Sequence, residues 1–302
     1  METAVDVSII ILSYNTAELL KNCVDSVLQH TKEVNLEIIV VDNNSSDESP
    51  QVAQSYGDKV KFIQSHENGG FSKGNNIGIR VARGRFVLLL NPDTLFIENT
   101  LYRMVIWMDA HHDVAVSSCQ LLDANQKISP TGGYEPTMLR VIMWAFFLDD
   151  IPGISHIVNS YHPRGGASSR YAKEFFPDWV TGAFFMMSHK ALEHIGLLDE
   201  NIFLYGEELE WCIRAKQFGW KVGYTPITKI VHLERKSSKS NPERAILGEI
   251  KGLRYIYQKY YPPKYQYLLD IILVLAEFLR VWLWLVRLKP RIALIYLKAM
   301  VI

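Results

Sequence analysis

The chain predicts a doubly wound α/β fold, a mostly parallel sheet with helices on both faces. Short β-branched apolar runs alternate with amphipathic helical patterns along the first 118 residues. Each run is too apolar to be half-exposed, so each reads as a strand covered on both sides. Helical crossovers between successive strands imply parallel pairing and right-handed connections.

The elements follow in order. Val7–Leu12 is the first strand and Ser13-Tyr14-Asn15 its turn. Leu19, Leu20, Cys23, Val24, Val27 and Leu28 then recur at helical spacing. Leu36–Val41 is the second strand, ended by DNNSSD, whose Ser and Asp residues cap a short helix near Glu48. Val60–Gln64 is the third strand. The loop HENGGFSKG opens a helix reaching about Arg83. Phe86–Leu90 is the fourth strand, stopped by Asn91-Pro92-Asp93, because proline cannot continue a central strand. A helix over about Glu98–His111 and a strand at Val114–Ser118 complete the repeat. WVTGAFFMM, from Trp179, is a strand interrupted by Gly182. Tyr205-Gly206 precedes a helix to about Phe218.

Composition narrows the function. The chain has 302 residues, enough for one large domain with an appendage. Lys plus Arg and Asp plus Glu number 32 each, so the basic excess of a nucleic-acid binder is missing. Cys23, Cys119 and Cys212 are far apart and lack metal-ligand spacing, which suits buried thiols in a reducing compartment. VSIIIL is too short for a signal-peptide core, so the expected location is the cytoplasm or the inner face of the cell membrane.

The polar clusters fall where a doubly wound sheet binds ligands, on loops at the carboxyl ends of strands. Asp42 can accept hydrogen bonds from a base or ribose, or serve a capped turn. Asn68–Asn76 has the glycines and helix start that admit an anion, yet it is neither GxGxxG nor a Walker loop. Asn91 and Asp93, exposed side by side at the rim, offer oxygen ligands for Mg²⁺ or Mn²⁺, or simply end a strand. Gly182 marks a close approach of ligand or backbone. Glu207, Glu208 and Glu210 suit a helix dipole, or supply a general base. His232 is a lone histidine, structural or ligating.

Together these pieces resemble the family 2 glycosyltransferases of GT-A fold. VSIIILSYN, VVDNNSSDES, NGGFSKGNN, LLLNPDT, WVTGAFFMM, LDENIFLYGEELEWCIRAKQFGW and IVHL occur in the family's order, from about Val7 to Lys236. The NPD form and NGGFSKGNN are most similar to a rhamnosyltransferase-like branch. The resemblance implies nucleotide contacts from Ser13, Tyr14, Asn15, Asp42, Asn44, Asn68, Gly70, Phe71, Gly74 and Asn75. It implies a DxD-like metal motif at Asp93 with Asn91, and a further metal ligand at His232. It places the general base at Glu208, with Glu207 the neighbouring choice, and acceptor contacts at Trp179, Thr181, Gly182 and Tyr205. Asn91 replaces the first Asp of DxD, and Glu replaces the usual Asp base. The implied reaction is inverting transfer from a nucleotide-diphosphate sugar (dTDP-rhamnose or a UDP-sugar). The implied acceptor is a saccharide or lipid-linked saccharide in cell-surface polysaccharide synthesis. A sugar nucleotidyltransferase, or a non-catalytic nucleotide-sugar-binding module, is the alternative. The former should carry a basic Gly-rich N-terminal loop, which SYN-Thr16-Ala17-Glu18 is not.

Two further segments stand apart. Residues 134–178, rich in Gly and Pro around VIMWAFFL, read as a lid or insertion in a catalytic domain spanning 1–240. Residues 241–302 read as a helical segment. Within it Tyr265–Leu288 is apolar except for Asp270, Glu277, Arg280 and Arg287, which fall in one stripe about 100° wide. That pattern suits an amphipathic helix. Its apolar face would meet a membrane interface through 265–302, or pack on the catalytic domain or on another subunit of a homo-oligomer.

Overall fold

The structure is a computed structural model, and it describes residues 4–151, 159–163, 167–233 and 242–302. The chain forms two compact units. The first comprises Met1–Gly132, Gly166–Phe203 and Glu208–Glu234; the second comprises Gly133–Gly165, Leu204–Glu207 and Arg235–Ile302. Pro152-Gly153, Gly165-Gly166 and the far end of the family-like stretch at Lys236 lie outside the described residues.

In chain order the strands are β1 (Val7–Ser13), β2 (Leu36–Asp42), β3 (Lys61–Gln64), β4 (Phe86–Leu90), β5 (Thr94–Phe96), β6 (Val114–Leu122), β7 (Ile128–Ser129), β8 (Gly132–Gly133), β9 (Trp179–Val180), β10 (Phe184–Ser188) and β11 (Lys221–His232). The helices are α1 (Ala17–His30), α2 (Ser49–Gln54), α3 (Gly70–Ile79), α4 (Thr100–Ala110), α5 (Met138–Ala145), α6 (Ala167–Arg170), α7 (His189–Ile195), α8 (Glu207–Gln217), α9 (Pro242–Tyr260), α10 (Pro263–Val286) and α11 (Pro290–Ala299).

The main sheet of the first unit runs β3-β2-β1-β4-β10-β6-β11-β5, with β7 on the side of β6. β1 pairs in parallel with β2 and β4, and its residues Val7–Ile11 are buried, as strands with two covered faces must be. The expected parallel α/β sheet is therefore present. One feature escaped the local pattern: β10 inserts antiparallel between β4 and β6. The core on one face gathers Leu20, Cys23, Val24 and Val27 of α1 with Leu101, Met104 and Trp107 of α4. All three cysteines are buried thiols.

Several boundaries differ from the sequence reading, each for a visible reason. α3 ends at Ile79 rather than near Arg83, because the Arg83 N–H turns toward Ser8 Oγ (3.0 Å) and Glu37 Oε1 (2.7 Å). α4 starts at Thr100 rather than Glu98. The Glu98 carboxylate is occupied by the Thr228 hydroxyl (2.7 Å) and the Lys229 N–H (3.0 Å). β6 continues to Leu122 because β11 offers a long parallel partner. Apolar spacing predicts none of these, since each depends on a group distant in sequence.

In the second unit, VIMWAFFL is not irregular. α5 buries Val141, Trp144 and Ala145 against Ile250, Leu253 and Tyr257 of α9 and Leu269, Leu273 and Ala276 of α10. The Tyr257 hydroxyl donates to Pro136 O (2.7 Å), tying α9 to the segment before α5. α10 turns its two mid-helix charges inward and leaves Asp270 exposed. Glu277 and Arg280 are buried, whereas Ile271, Leu275, Phe278 and Trp282 are more than half exposed. Among the described residues no helix is long and apolar enough to cross a membrane.

Candidate active site

The site forms in the first unit where β1, β2 and β4 end. At the β1 turn, Asn15 adopts a left-handed φ of 54° and is latched to the β2 loop. Its N–H donates to Ser45 Oγ (2.9 Å), and its Oδ1 accepts from the Ser46 N–H (2.8 Å). Ser13 is buried, its Oγ 2.9 Å from Thr16 Oγ1, and Tyr14 is exposed.

Asp42 ends β2 and is fully buried. Its Oδ2 accepts from the Ser45 N–H and the Gln64 amide, both at 2.8 Å. Its Oδ1, equally buried, receives no hydrogen bond from the protein. Buried carboxylate oxygens are normally satisfied, so this one keeps the capacity to accept a further hydrogen bond. Asn44 is exposed with φ 65°.

The residue that organises these loops is Asn43, which the sequence reading passed over. Its Nδ2 donates to Asn68 Oδ1 (3.0 Å) and Gly70 O (3.1 Å), and its Oδ1 accepts from the Gly69 N–H (3.1 Å). Asn68 Oδ1 also accepts from the Gly70 N–H (3.1 Å). Only an amide both donates and accepts in this way. The available signal was that an Asn directly follows the strand-end carboxylate.

Gly70 starts α3 with φ +82°, and a Cβ there would lie 2.2 Å from Phe203 O. The Phe71 N–H donates to that same carbonyl (2.7 Å). Gly70→Ala therefore combines backbone strain with a backbone clash. It should lower stability by about 1–3 kcal/mol or more in chemical denaturation. Gly57→Ala, also at positive φ (+55°) but with open space around it, should cost less. Equal losses would deny the close approach.

Two other loop residues serve packing. A Cβ on Gly74 would meet Leu12 at 2.4 Å, so this glycine seats α3 on the sheet. Asn75 is buried and donates to Phe71 O (2.9 Å). Lys73 pairs with Glu67 at the surface.

Asn91-Pro92-Asp93 follows β4. The Asn91 N–H donates to Ala183 O (3.2 Å), and its carbonyl accepts from Thr94. Asp93 is not exposed at the rim, as the sequence suggests, but 4% accessible. The reason is β5, the short strand that follows at once and pairs with β11, setting His232 opposite Thr94. That register brings His232 Nε2 to 3.2 Å from Asp93 Oδ1, with both side chains largely covered. Among the described residues no cluster of three His, Cys, Asp or Glu forms a metal cage. One carboxylate and one imidazole nonetheless fit a divalent ion whose remaining ligands are water and phosphate oxygens.

The Trp179–Ala183 turn closes the site beside Asn91. A Cβ on Gly182 would lie 3.1 Å from the Phe71 ring, so the glycine lets the α3 loop and this turn meet. The Thr181 N–H donates to Thr131 O (2.8 Å), and Trp179 is buried.

The acidic cluster divides. Glu210 is fully buried, and Arg214 holds it bidentately (2.9 Å) while also donating to Ile195 O and Leu197 O. It is structural. Tyr205, Gly206 and Glu207 belong to the second unit, where the Tyr205 carbonyl approaches Gly252 so closely that a Cβ there would lie 2.2 Å away. Glu208 is half-buried and belongs to the first unit. It lies one turn before Cys212, on the same helix face, and the Cys212 thiol touches the Val180 backbone.

A mixed α/β sheet with nucleotide-type loops at its carboxyl edge and an Asp–His pair beside them is the architecture of a GT-A glycosyltransferase. The glycosyl transferase family 2 model matches residues 8–144. Low-salt glycan biosynthesis hexosyltransferase Agl10 of Haloferax volcanii is 30% identical over 236 residues, 75% of this chain and 67% of that protein. The chain belongs to glycosyl transferase family 2. Rhamnosyltransferase WbbL of Escherichia coli is 22% identical over 84% of this chain and 93% of its own length. Among solved structures, a Pyrobaculum calidifontis mannosyltransferase in complex with GDP-Man and Mn²⁺ superposes with a TM-score of 0.57 at 17% identity. That alignment covers 99% of this chain and 77% of the other.

Proposed function

We propose that the protein is an inverting glycosyltransferase that moves a sugar from a nucleotide diphosphate to a saccharide or lipid-linked saccharide hydroxyl. A rhamnosyl or related hexosyl donor on dTDP or UDP is the preferred choice, supported by the likeness to the two named transferases. The observation that carries the reading is the covered Asp93–His232 pair at 3.2 Å, set beside the β1, β2 and α3 loops.

In this reading the Asp42 Oδ1 accepts an N–H or O–H of the nucleoside, with Tyr14, Asn15 and Asn44 around it and Asn68, Gly70 and Phe71 along the pocket. Asp93 and His232, with Asn91 adjacent, would hold Mg²⁺ or Mn²⁺. Such an ion, when bound, neutralises charge on the departing diphosphate. Thr181 and Gly182 face the acceptor, and Trp179 supports that turn from within; Tyr205 stands outside this first-unit assignment. Glu208 takes the proton of the acceptor hydroxyl as its oxygen attacks the anomeric carbon from the face opposite the leaving group. The C1–O bond to the diphosphate breaks as the new C1–O bond forms, through an oxocarbenium-like state. Incubation with a panel of sugar nucleotides, Mn²⁺ and lipid-linked acceptors tests the proposal. Transfer with inverted anomeric configuration is expected. Release of diphosphate from a nucleoside triphosphate and a sugar phosphate would instead indicate nucleotidyl transfer.

We further propose that 265–302 rests on an anionic membrane surface at the inner face of the cell membrane. Its support is an exposed apolar face on α10 and α11 (Phe278, Trp282, Leu285, Leu294) flanked by Arg287, Lys289 and Arg291, with no acidic residue after Glu277. The protein should float with anionic vesicles, several-fold less with neutral ones, and lose binding in Phe278→Asp/Trp282→Asp. Dimerisation without flotation would assign the face to a second copy.

A further inference from the structure

The second unit buries a carboxyl and a guanidinium group that do not satisfy each other. Glu277 and Arg280 are 1% and 3% exposed, in the middle of α10. Burying two charges is costly unless hydrogen bonds satisfy both. Here they do not. Neither Glu277 oxygen receives a hydrogen bond from the protein, and Arg280 Nη1 makes none. The nearest approach between the two is 3.6 Å, beyond hydrogen-bond reach. Arg254, a second cation nearby, is engaged by Asp270 (2.7 Å). Burial accordingly pushes the Glu277 carboxyl up to about 7, against the pull of Arg280.

Both side chains line a cavity of about 150 Å³ formed wholly by residues of the second unit. That is many times what one water needs, and on the order of one monosaccharide ring. The Arg280 guanidinium is fixed rather than adaptable. It stacks 4.9 Å from both the Trp144 and Phe147 rings, and Nη2 reaches toward Trp144 O (3.5 Å). Nη1 is thereby held as an unshared donor group beside the Glu277 carboxyl, which accepts when ionised and can donate when protonated. Glu249 and Arg287 also line the cavity, so two carboxyl groups stand against two guanidinium groups. An anion would face two carboxylates, and a cation two guanidinium groups. A neutral molecule that both donates and accepts, with apolar C–H faces for the aromatic walls, suits the lining best.

We propose that this cavity binds a neutral sugar residue, with adjacent hydroxyls donating to Glu277 and one hydroxyl oxygen accepting from Arg280. This goes beyond the transfer reaction. The site contains none of the residues assigned to the donor, the metal or the base, so either proposal can fail without the other.

The test is saturation-transfer NMR on the full chain with methyl glycosides of a hexose, a 6-deoxyhexose and an N-acetylhexosamine. At least one should bind, and binding should persist in Asp93→Ala, which separates this site from the transfer site. Glu277→Met and Arg280→Met should each weaken it at least tenfold. Glu277→Gln, which keeps the shape and one acceptor, should weaken it less. Thermal denaturation of Glu277→Met should show unchanged or raised stability, since an unsatisfied buried charge is removed. Three results would overturn the proposal: no glycoside binds, binding is indifferent to Glu277 and Arg280, or inorganic phosphate displaces the sugar.

Discussion

Glu208→Gln should reduce glycosyl transfer by about 100- to 10,000-fold while leaving nucleotide affinity within about twofold. The amide keeps the size of the carboxylate and its place on α8, so packing around Leu209 and Cys212 is untouched. What it loses is the ability to take a proton. That loss acts only once the acceptor oxygen attacks, so it should fall on kcat rather than on donor KM. Glu207→Gln is the internal control. Glu207 is buried and belongs to the second unit, so its change should register as altered stability before altered chemistry. Near-normal turnover in Glu208→Gln would remove the base from the mechanism, and a large kcat loss confined to Glu207→Gln would move it by one residue.

Asp93→Ala should abolish the part of nucleotide binding that depends on a divalent ion. Calorimetry of the wild-type chain with UDP or dTDP should show affinity at least tenfold higher with Mn²⁺ than with chelator. In Asp93→Ala the two titrations should coincide. The register of β5 and β11 brings the Asp93 carboxylate to His232, and an imidazole alone is a poor partner for a hard cation. His232→Ala should weaken the Mn²⁺ effect less, because the carboxylate remains. Retained Mn²⁺ dependence in Asp93→Ala would place the ion elsewhere.

Much of this site was legible because ligand loops in a doubly wound sheet sit at strand ends, and strand ends are marked by a change from apolar to polar residues. Ser13–Asn15, Asp42–Asn44, Asn68–Phe71 and Asn91–Asp93 all occupy such ends. The spacing could not tell which residues face a ligand and which hold the loops. Asn43 joins two loops, Gly74 seats a helix, and Glu210 neutralises Arg214, yet all three are the residue types that ligand sites use. Those distinctions depend on partners far away in the chain.

Local sequence determined the strands, because a run such as VSIIIL has no stable place except a sheet covered on both faces, and it determined which loops follow them. Tertiary structure decided the rest. The antiparallel insertion of β10 brings Ala183 to Asn91, and the β5–β11 register carries His232 to Asp93. Both are long-range backbone pairings, and no periodicity encodes them. It also decided the orientation of α10. The helical spacing places its charges in one stripe, but only packing against α5 and α9 determines that Glu277 and Arg280 face inward, away from water, while Asp270 and Arg287 toward its ends stay exposed.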